Sequence, residues 1–513
     1  MLEYTPGVGK VFLVGAGAGD PGLITVKGKE CIEQADVVVY DYLANRKLLA
    51  YARPDAELIY VGKMANRHTL TQDEINQVLV EKALAGKLVC RLKGGDPYVF
   101  GRGGEEAEYC LRHGIKFEVV PGVTSAISAP AYAGIPVTHR GIASSVSIVT
   151  GHEDPTKETS AINWEKLATA TDTLVFLMGV SNLPQIVAEL VAHGRMPETP
   201  VALVRWGTTP RQEVLEGTLA DIVDKVQAAN FKAPAIIVVG EVVSLRPTLR
   251  WFEDKPLFGK RIIVTRARAQ ASELTERLAA LGAEPLEYPA IKIVEPDSYA
   301  PVDAAIEQLA AGFDWIVFTS VNGVNAFIER LFATGHDIRS LGRAKLAAIG
   351  KATADSLWAR GLRVDFVPDE FVAESLLSGF PEAEVRGRKV LIPRALEART
   401  VLPDELRKRG AQVLEVPVYK TIRDDSAGES LLAELAEGTV DCVTFTSSST
   451  VKNFLALLTR SGGGLELLKD VTIACIGPIT KQTALEAGIK VDIEAAEYTI
   501  DGLVQALVSF YTH

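Results

Sequence analysis

The second half of the chain repeats itself. The stretch GKRIIVTRARAQASELTERLAALGAEPLEYPAI begins at Gly259, and GRKVLIPRALEARTVLPDELRKRGAQVLEVPVY begins at Gly387, 128 residues later. DWIVFTSVNGVNAF at Asp314 matches DCVTFTSSSTVKNF at Asp441, an offset of 127. Gly350 in KLAAIG and Gly477 in TIACIG keep that offset, as do Phe371 and Tyr498, which close the two copies. Four segments in one order at nearly one spacing mark an internal duplication. In each copy an apolar strand such as RIIVTR leads into a helix such as ASELTERLAALG, with apolar residues at helical spacing and a terminal glycine.

The duplication predicts two α/β lobes. LEYPAIKIVE and LEVPVYKTIRD read as extended segments with an internal proline, which suits an edge or connecting strand better than a central one. They are expected to form a two-stranded connection, with a lobe at 296–413 inserted in a discontinuous lobe of 258–288 plus 424–513. A cleft between lobes is a natural ligand site. Before the repeat, Val242–Arg261 mixes charges, prolines and aromatics without periodicity. A linker is therefore expected at 248–257, between domains 1–247 and 258–513, and fragments 1–250 and 258–513 are expected to fold and act alone. The first half also alternates strand and helix, with VFLVGAG, ADVVVYD, KLVCRLKGGD and AIIVVG among its apolar runs. The fold class is α/β throughout.

Composition narrows the functional classes. With 513 residues, 47% hydrophobic and 23% charged, the chain is long and apolar enough to bury several cores. A formal net charge of -11 argues against generic nucleic-acid binding, which wants a basic face. It leaves room for an anionic small substrate, because salt screens surface fields beyond roughly 8 Å. The five cysteines are scattered and the seven histidines are isolated, so no disulfide framework and no metal site are expected. No apolar run is long enough for a membrane span and the N-terminus does not resemble a signal peptide, so a cytoplasmic location is expected.

The first half carries its signal in loops. In GAGAGDPG, Gly15 and Gly17 match two positions of a dinucleotide fingerprint, but Asp20 stands where the third glycine belongs. A carboxylate there would repel a pyrophosphate at the helix N-terminus. Taken alone, the loop also reads as a tight strand-to-helix turn. RLKGGDPYVFGRGGEE, VPGVTSAISAPAYAGIPVTHRG and LMGVSNL add glycine-rich or small-residue segments that allow close approach of a ligand to backbone. Asp96 is expected to accept from ribose hydroxyls or a cationic amino group. Such a site suits a neutral-to-cationic ligand and suits a triphosphate badly.

The ordered set GAGAGDPGLIT, YDYL, VGK, GGDPYVFGRGGEE, VPGVTSA, GIPVTHRG and LMGV resembles uroporphyrinogen-III C-methyltransferases over roughly residues 8–247. The resemblance implies a two-lobed tetrapyrrole-methylase fold and two methyl transfers from S-adenosylmethionine, leaving S-adenosylhomocysteine and precorrin-2. It implies a cofactor pocket made by Pro21, Gly94, Gly95, Asp96, Val99, Thr124, Ser125, Met178 and Gly207. Asp41 resembles the family's proton acceptor and Lys63 its proton donor. Homodimerisation through this half is likewise expected from the resemblance. The residues leave open a relative acting on a later precorrin or on RNA.

In the second half, VTR, FTSVNGV, AIG, LIPR, VPVYKT, FTSSSTV and CIGPIT together resemble uroporphyrinogen-III synthases over roughly residues 258–513. That family closes linear hydroxymethylbilane into uroporphyrinogen III with inversion of one ring. The task is mainly one of orientation. Ser320, Asn322, Ser447, Ser448 and Thr480 fall at strand-to-helix turns, where helix N-termini would receive substrate carboxylates. Arg266 and Arg394 are the expected basic contacts. Tyr419 resembles the family's functional tyrosine, and its hydroxyl is expected to face a wet cleft; its repeat partner is aliphatic, Ile291. A non-catalytic tetrapyrrole-binding module is the other reading of this half. Together the two halves read as a bifunctional enzyme of siroheme or cobalamin synthesis whose partners are small tetrapyrroles, with neither nucleic acid nor membrane.

Overall fold

The computed structural model describes all residues except 1–6, 63–69, 153–161, 266–267, 290, 369–381, 399, 425–426 and 513. By internal contacts the chain divides into two compact units. One runs to Arg261 and takes in Arg277–Glu284 and the chain from Val508; the other holds Ile262–Glu276 and Pro285–Leu507.

The first unit is built on two five-stranded sheets. Strands β1 (Lys10–Gly15), β2 (Val37–Tyr40), β3 (Glu57–Tyr60), β4 (Leu88–Lys93) and β5 (Lys116–Val120) form the first, in the order β3-β2-β4-β1-β5. All its pairings are parallel. β1 leads on to β2 and β4 to β5, in opposite directions along the sheet. The crevice between β1 and β4 is therefore a topological switch point, where the carboxyl ends of strands receive ligands. The second sheet contains β6 (Val146–Thr150), β7 (Thr173–Leu177), β8 (Pro200–Arg205), β9 (Glu213–Thr218) and β10 (Ala235–Val239), in the order β6-β7-β10-β8-β9. Only β6 and β7 run parallel in it.

The repeat region continues with β11 (Arg261–Val264), β12 (Glu284–Glu287), β13 (Ile291–Val294), β14 (Trp315–Phe318), β15 (Lys345–Ala348), β16 (Lys389–Ala395), β17 (Gln412–Arg423), β18 (Cys442–Phe445), β19 (Thr472–Cys475) and β20 (Ile493–Glu494). They form two sheets, β12-β11-β18-β19-β20 and β13-β17-β16-β14-β15. By the repeat, β11 is equivalent to β16 and β14 to β18. Yet β11 pairs with β18, and β16 with β14. Each sheet thus takes strands from both copies. The registers agree: Ile262 lies opposite Cys442, and their repeat equivalents Val390 and Trp315 lie opposite each other.

Two boundary expectations are revised. β17 is an interior strand of its sheet, although it contains Pro417. The proline is tolerated because the register with β16 shifts there: Arg394 faces Pro417 while Ala395 faces Tyr419. The two-stranded connection exists as β13 antiparallel to the end of β17, but it is part of that sheet, which extends from Ile291 to Arg423 and so beyond 296–413.

Residues 248–257 are not a loose tether. Phe252 is 5% exposed and Leu257 fully buried. The Trp251 indole donates to the Ala131 carbonyl at 3.1 Å, and the Phe252 ring meets Tyr132 edge-on at 4.9 Å. Glu253 accepts from Arg246 at 2.6 Å and Gln212 at 2.8 Å. The aromatics of this stretch pack against Tyr132 of the first unit, Phe252 buried and Trp251 partly exposed. A fragment ending at residue 250 would lose these contacts. Phe252→Ala in the full chain is expected to destabilise the first unit by about 3–5 kcal/mol, read as a lower denaturation midpoint.

Candidate functional site

A cavity of about 1260 Å³ opens in the first unit, at the carboxyl ends of β1, β2 and β4 and against residues of the second sheet. Its wall is made where loops meet backbone to backbone. Gly17 and Gly95 exchange two hydrogen bonds, at 3.2 and 2.7 Å. A Cβ on Gly15 would lie 2.5 Å from Gly122 Cα, and one on Gly122 would overlap the Gly95 carbonyl oxygen. Only glycine permits this approach.

Most of the expected site residues are gathered there. Gly94, Gly95, Asp96, Val99, Thr124, Ser125, Met178, Gly207 and Asp41 all line the cavity. Lys63 lies outside the described residues. Pro21 is not in the wall; Ala18 and Gly19 are. The reason is the Asp20 carboxylate, which accepts from Gly22 N at 2.7 Å and from the Tyr132 hydroxyl at 2.7 Å. It caps the short turn Pro21–Leu23 and directs it away.

Asp96 lines the cavity and is also bonded within the protein. Its Oδ1 accepts from Tyr98 N at 2.8 Å and Val99 N at 3.2 Å, and its Oδ2 from Gly122 N at 2.9 Å. The carboxylate binds two loops together. Thr124 caps the helix Ser125–Tyr132, so that helix presents its N-terminus to the wall. Backbone strain collects at the same place. Six non-glycine residues among those described have positive φ, and Phe100, Arg102, Met178, Trp206 and Asn230 all line the cavity. Such conformations persist where surrounding structure imposes them, commonly at functional sites.

The pattern reading missed a buried charge cluster under Asp41. Arg91 Nη2 donates to Asp41 Oδ2 at 3.1 Å. Glu106 Oε1 accepts from Lys93 at 2.7 Å, Gln72 at 3.2 Å and Arg91 Nε at 3.3 Å. Arg91, Lys93 and Glu106 are 3%, 4% and 0% exposed. Burial pushes the Lys93 ammonium below its usual pKa, with Arg91 adding to the effect and Glu106 opposing it. The signal was available: Arg91 and Lys93 stand on an interior strand of a parallel sheet, where apolar residues are the rule. Among the described residues no group of His, Cys, Asp and Glu is placed to hold a metal ion, and no helix is long and apolar enough to cross a membrane.

The second unit divides its candidates between its two sheets. At the end of β14, Ser320 caps the helix Val321–Ala333, accepting from Gly323 N at 3.0 Å. The Tyr419 hydroxyl lies 3.1 Å from Ser320 Oγ, while its ring, 9% exposed, belongs to a hydrophobic core. Tyr419 is therefore mostly buried, and it borders a cavity of about 530 Å³ with Tyr299 and Arg330. Asn322 follows on the same helix, half-buried. Arg394 is buried and ion-paired with Glu415, which also takes Arg407 at 2.6 Å. This occupies the guanidinium expected for substrate. At the other sheet, Ser447 caps the helix Ser448–Arg460, and Ser448 Oγ accepts from Thr483 at 2.7 Å. Thr480 is 5% exposed and its repeat partner Thr353 is 4% exposed, as a shared structural position would require. Arg266 lies outside the described residues.

The glycine junction makes a test. Gly122→Ala is expected to weaken S-adenosylhomocysteine binding at least about ten-fold, or about 1.4 kcal/mol. Gly104→Ala, where a Cβ meets nothing within 4 Å, should leave affinity within about two-fold of the parent by calorimetry.

Known proteins similar to this chain agree with the division into two halves. The family profile described as tetrapyrrole (corrin/porphyrin) methylases matches residues 10–223, and that of uroporphyrinogen-III synthase HemD matches 272–505. The porphyrin biosynthesis protein HemD of Ruminiclostridium josui is 40% identical over 98% of this chain and 98% of its own length. A uroporphyrinogen-III C-methyltransferase of Bacillus subtilis is 46% identical over 70% of this chain and 74% of its own. The S-adenosyl-L-methionine-dependent uroporphyrinogen III methyltransferase of Methanosarcina barkeri is 56% identical over 47% of this chain and 94% of its own. The chain belongs to the porphyrin-biosynthesis family in which a tetrapyrrole methylase is fused to a uroporphyrinogen-III synthase.

Proposed function

We propose that this protein makes uroporphyrinogen III from hydroxymethylbilane in its second half and methylates it to precorrin-2 in its first. The observation that carries the reading is the fusion itself, aligned with one relative along 98% of the chain. The product of one activity is the substrate of the other. The route then leads to siroheme or cobalamin. The substrates are small tetrapyrroles, no nucleic acid takes part, the protein is cytoplasmic, and it dimerises through its methylase half.

The cavity fits S-adenosylmethionine. A glycine-built wall supplies backbone hydrogen-bonding groups. Gly94, Gly95, Val99, Thr124, Ser125, Met178 and Gly207 would hold the cofactor, with Asp96 securing the loops around it. Bound there, the cofactor supplies an electrophilic methyl group. Asp41, at the cavity wall, takes the proton displaced after an electron-rich pyrrole carbon is methylated. Lys63 serves as the matching donor.

In the second half the folding of the linear substrate dominates. Helix N-termini at Ser320 and Ser447 receive its carboxylates. The Tyr419 hydroxyl, held by Ser320, assists departure of the substrate's terminal hydroxyl. Supplying hydroxymethylbilane and S-adenosylmethionine to the whole chain tests the reading. Precorrin-2 should accumulate, with type III ring closure exceeding the spontaneous type I product; type I alone would rule out the synthase.

Two substitutions separate the activities. Asp41→Asn should bind S-adenosylhomocysteine normally and lose about 10²–10⁴-fold in methyl transfer. Tyr419→Phe should lose about ten-fold in type III closure, equivalent to about 1.4 kcal/mol of barrier, with methylation of supplied uroporphyrinogen III unchanged. Because that hydroxyl is paired with Ser320, its loss should also cost about 0.5–1.5 kcal/mol of stability.

A further inference from the structure

Arg91 is out of place by every packing rule. It sits in the middle of β4, and across the sheet its row reads Val39, Arg91, Leu13, Val119. Its neighbours in the row are aliphatic. A strand needing only stability would carry another aliphatic residue here, since burying a charge is expensive unless it is fully paired.

The guanidinium is nearly immobilised. Nε donates to Glu106 Oε1 at 3.3 Å, Nη1 to the carbonyls of Leu92 at 3.1 Å and Val39 at 3.4 Å, and Nη2 to Asp41 Oδ2 at 3.1 Å. Three directions of the planar fork are held by a buried carboxylate and by backbone. The fourth reaches the one member of the cluster with a partly open side chain, Asp41, at 25% exposure. The other oxygen of Asp41 accepts from Leu43 N at 3.1 Å. Both carboxylate oxygens are thereby aimed.

Glu106 is turned wholly to this work. Oε1 collects three donors, whereas the buried Oε2 has none. A carboxylate serving packing alone would share its donors between both oxygens.

We propose that Arg91, anchored by Glu106, is a positioning residue of the methyl-transfer site, acting by holding the Asp41 carboxylate in one orientation at the cavity wall. The inference rests on the proton-accepting role proposed for Asp41. In this role Arg91 acts through Asp41. A lysine cannot replace it, because a point charge cannot reach Glu106, two carbonyls and Asp41 together.

The test is a double-mutant cycle in the full chain, with Arg91→Lys, Asp41→Asn and the pair. Precorrin-2 formation from supplied uroporphyrinogen III gives kcat and KM, calorimetry gives S-adenosylhomocysteine affinity, and type III ring closure by the same molecules controls for folding. Arg91→Lys should lower kcat by about 10–100-fold with cofactor affinity within about two-fold, and the double variant should match Asp41→Asn within about two-fold, since a residue acting through another adds nothing once that other is gone. Multiplying losses, an unchanged kcat, or a matching loss of cofactor binding would each overturn the proposal. Should Arg91→Lys fold poorly, Glu106→Gln decides by the same cycle: a fall in kcat that vanishes in the Asp41→Asn background supports it, and an unaltered kcat overturns it. Near-normal turnover in Asp41→Asn alone would instead remove the proton-accepting role of Asp41. A severe single loss with multiplying doubles would leave that role standing and remove only the positioning by Arg91.

Discussion

Three backbones meet at Gly15, Gly95 and Gly122, and a Cβ on either Gly15 or Gly122 would strike the other two. These residues end or follow β1, β4 and β5, parallel neighbours in one sheet, so their loops emerge side by side. The loops become one wall only because the main chains touch. Asp96 then ties the wall together through amides on both sides. What remains for a ligand is a surface of backbone groups, one helix N-terminus and a few strained residues.

Beneath this wall lie four ionisable side chains, Arg91 and Lys93 on β4, Asp41 just after β2 and Glu106 on the helix Gly103–Arg112. Asp41, Arg91, Lys93 and Glu106 neutralise one another in pairs, which is the condition for burying charge. The arrangement costs stability relative to an aliphatic strand, and its return is a carboxylate with a fixed direction at the cavity edge. The strained φ angles around the cavity follow the same logic, since a rigid scaffold holds them where a free loop would relax.

The synthase half solves a different problem with a duplicated part. Its two sheets share strands from both copies in one register, so equivalent helix N-termini recur at Ser320 and Ser447. The copies then diverge at Tyr419. Tyr419 hydrogen-bonds Ser320 beside one cap, while its repeat partner Ile291 starts an edge strand with no hydroxyl to offer. Thr353 and Thr480 show the opposite case, buried alike in both copies.

Much of this was legible in the sequence, because it is local. The duplication, the strand-helix alternation, the glycine loops and Asp41 are patterns within a few residues or at a fixed offset, and motif order alone carried the family resemblance. Other features depend on which strands become neighbours. Pro417 reads as an edge residue until a register shift beside β16 accommodates it. The aromatics of 251–258 read as a linker until Tyr132 supplies a surface for them. Arg394 reads as a substrate contact until Glu415 lies beside it across two paired strands. Arg91 and Asp41 are fifty positions apart and share no motif. Their contact exists because β2 and β4 pair in a register that sets Tyr40 opposite Leu92 and so brings the end of one strand over the charge of the next. Local patterning determined the elements and the chemistry on offer; strand pairing alone decided which charged groups share the space in which charges must be paired.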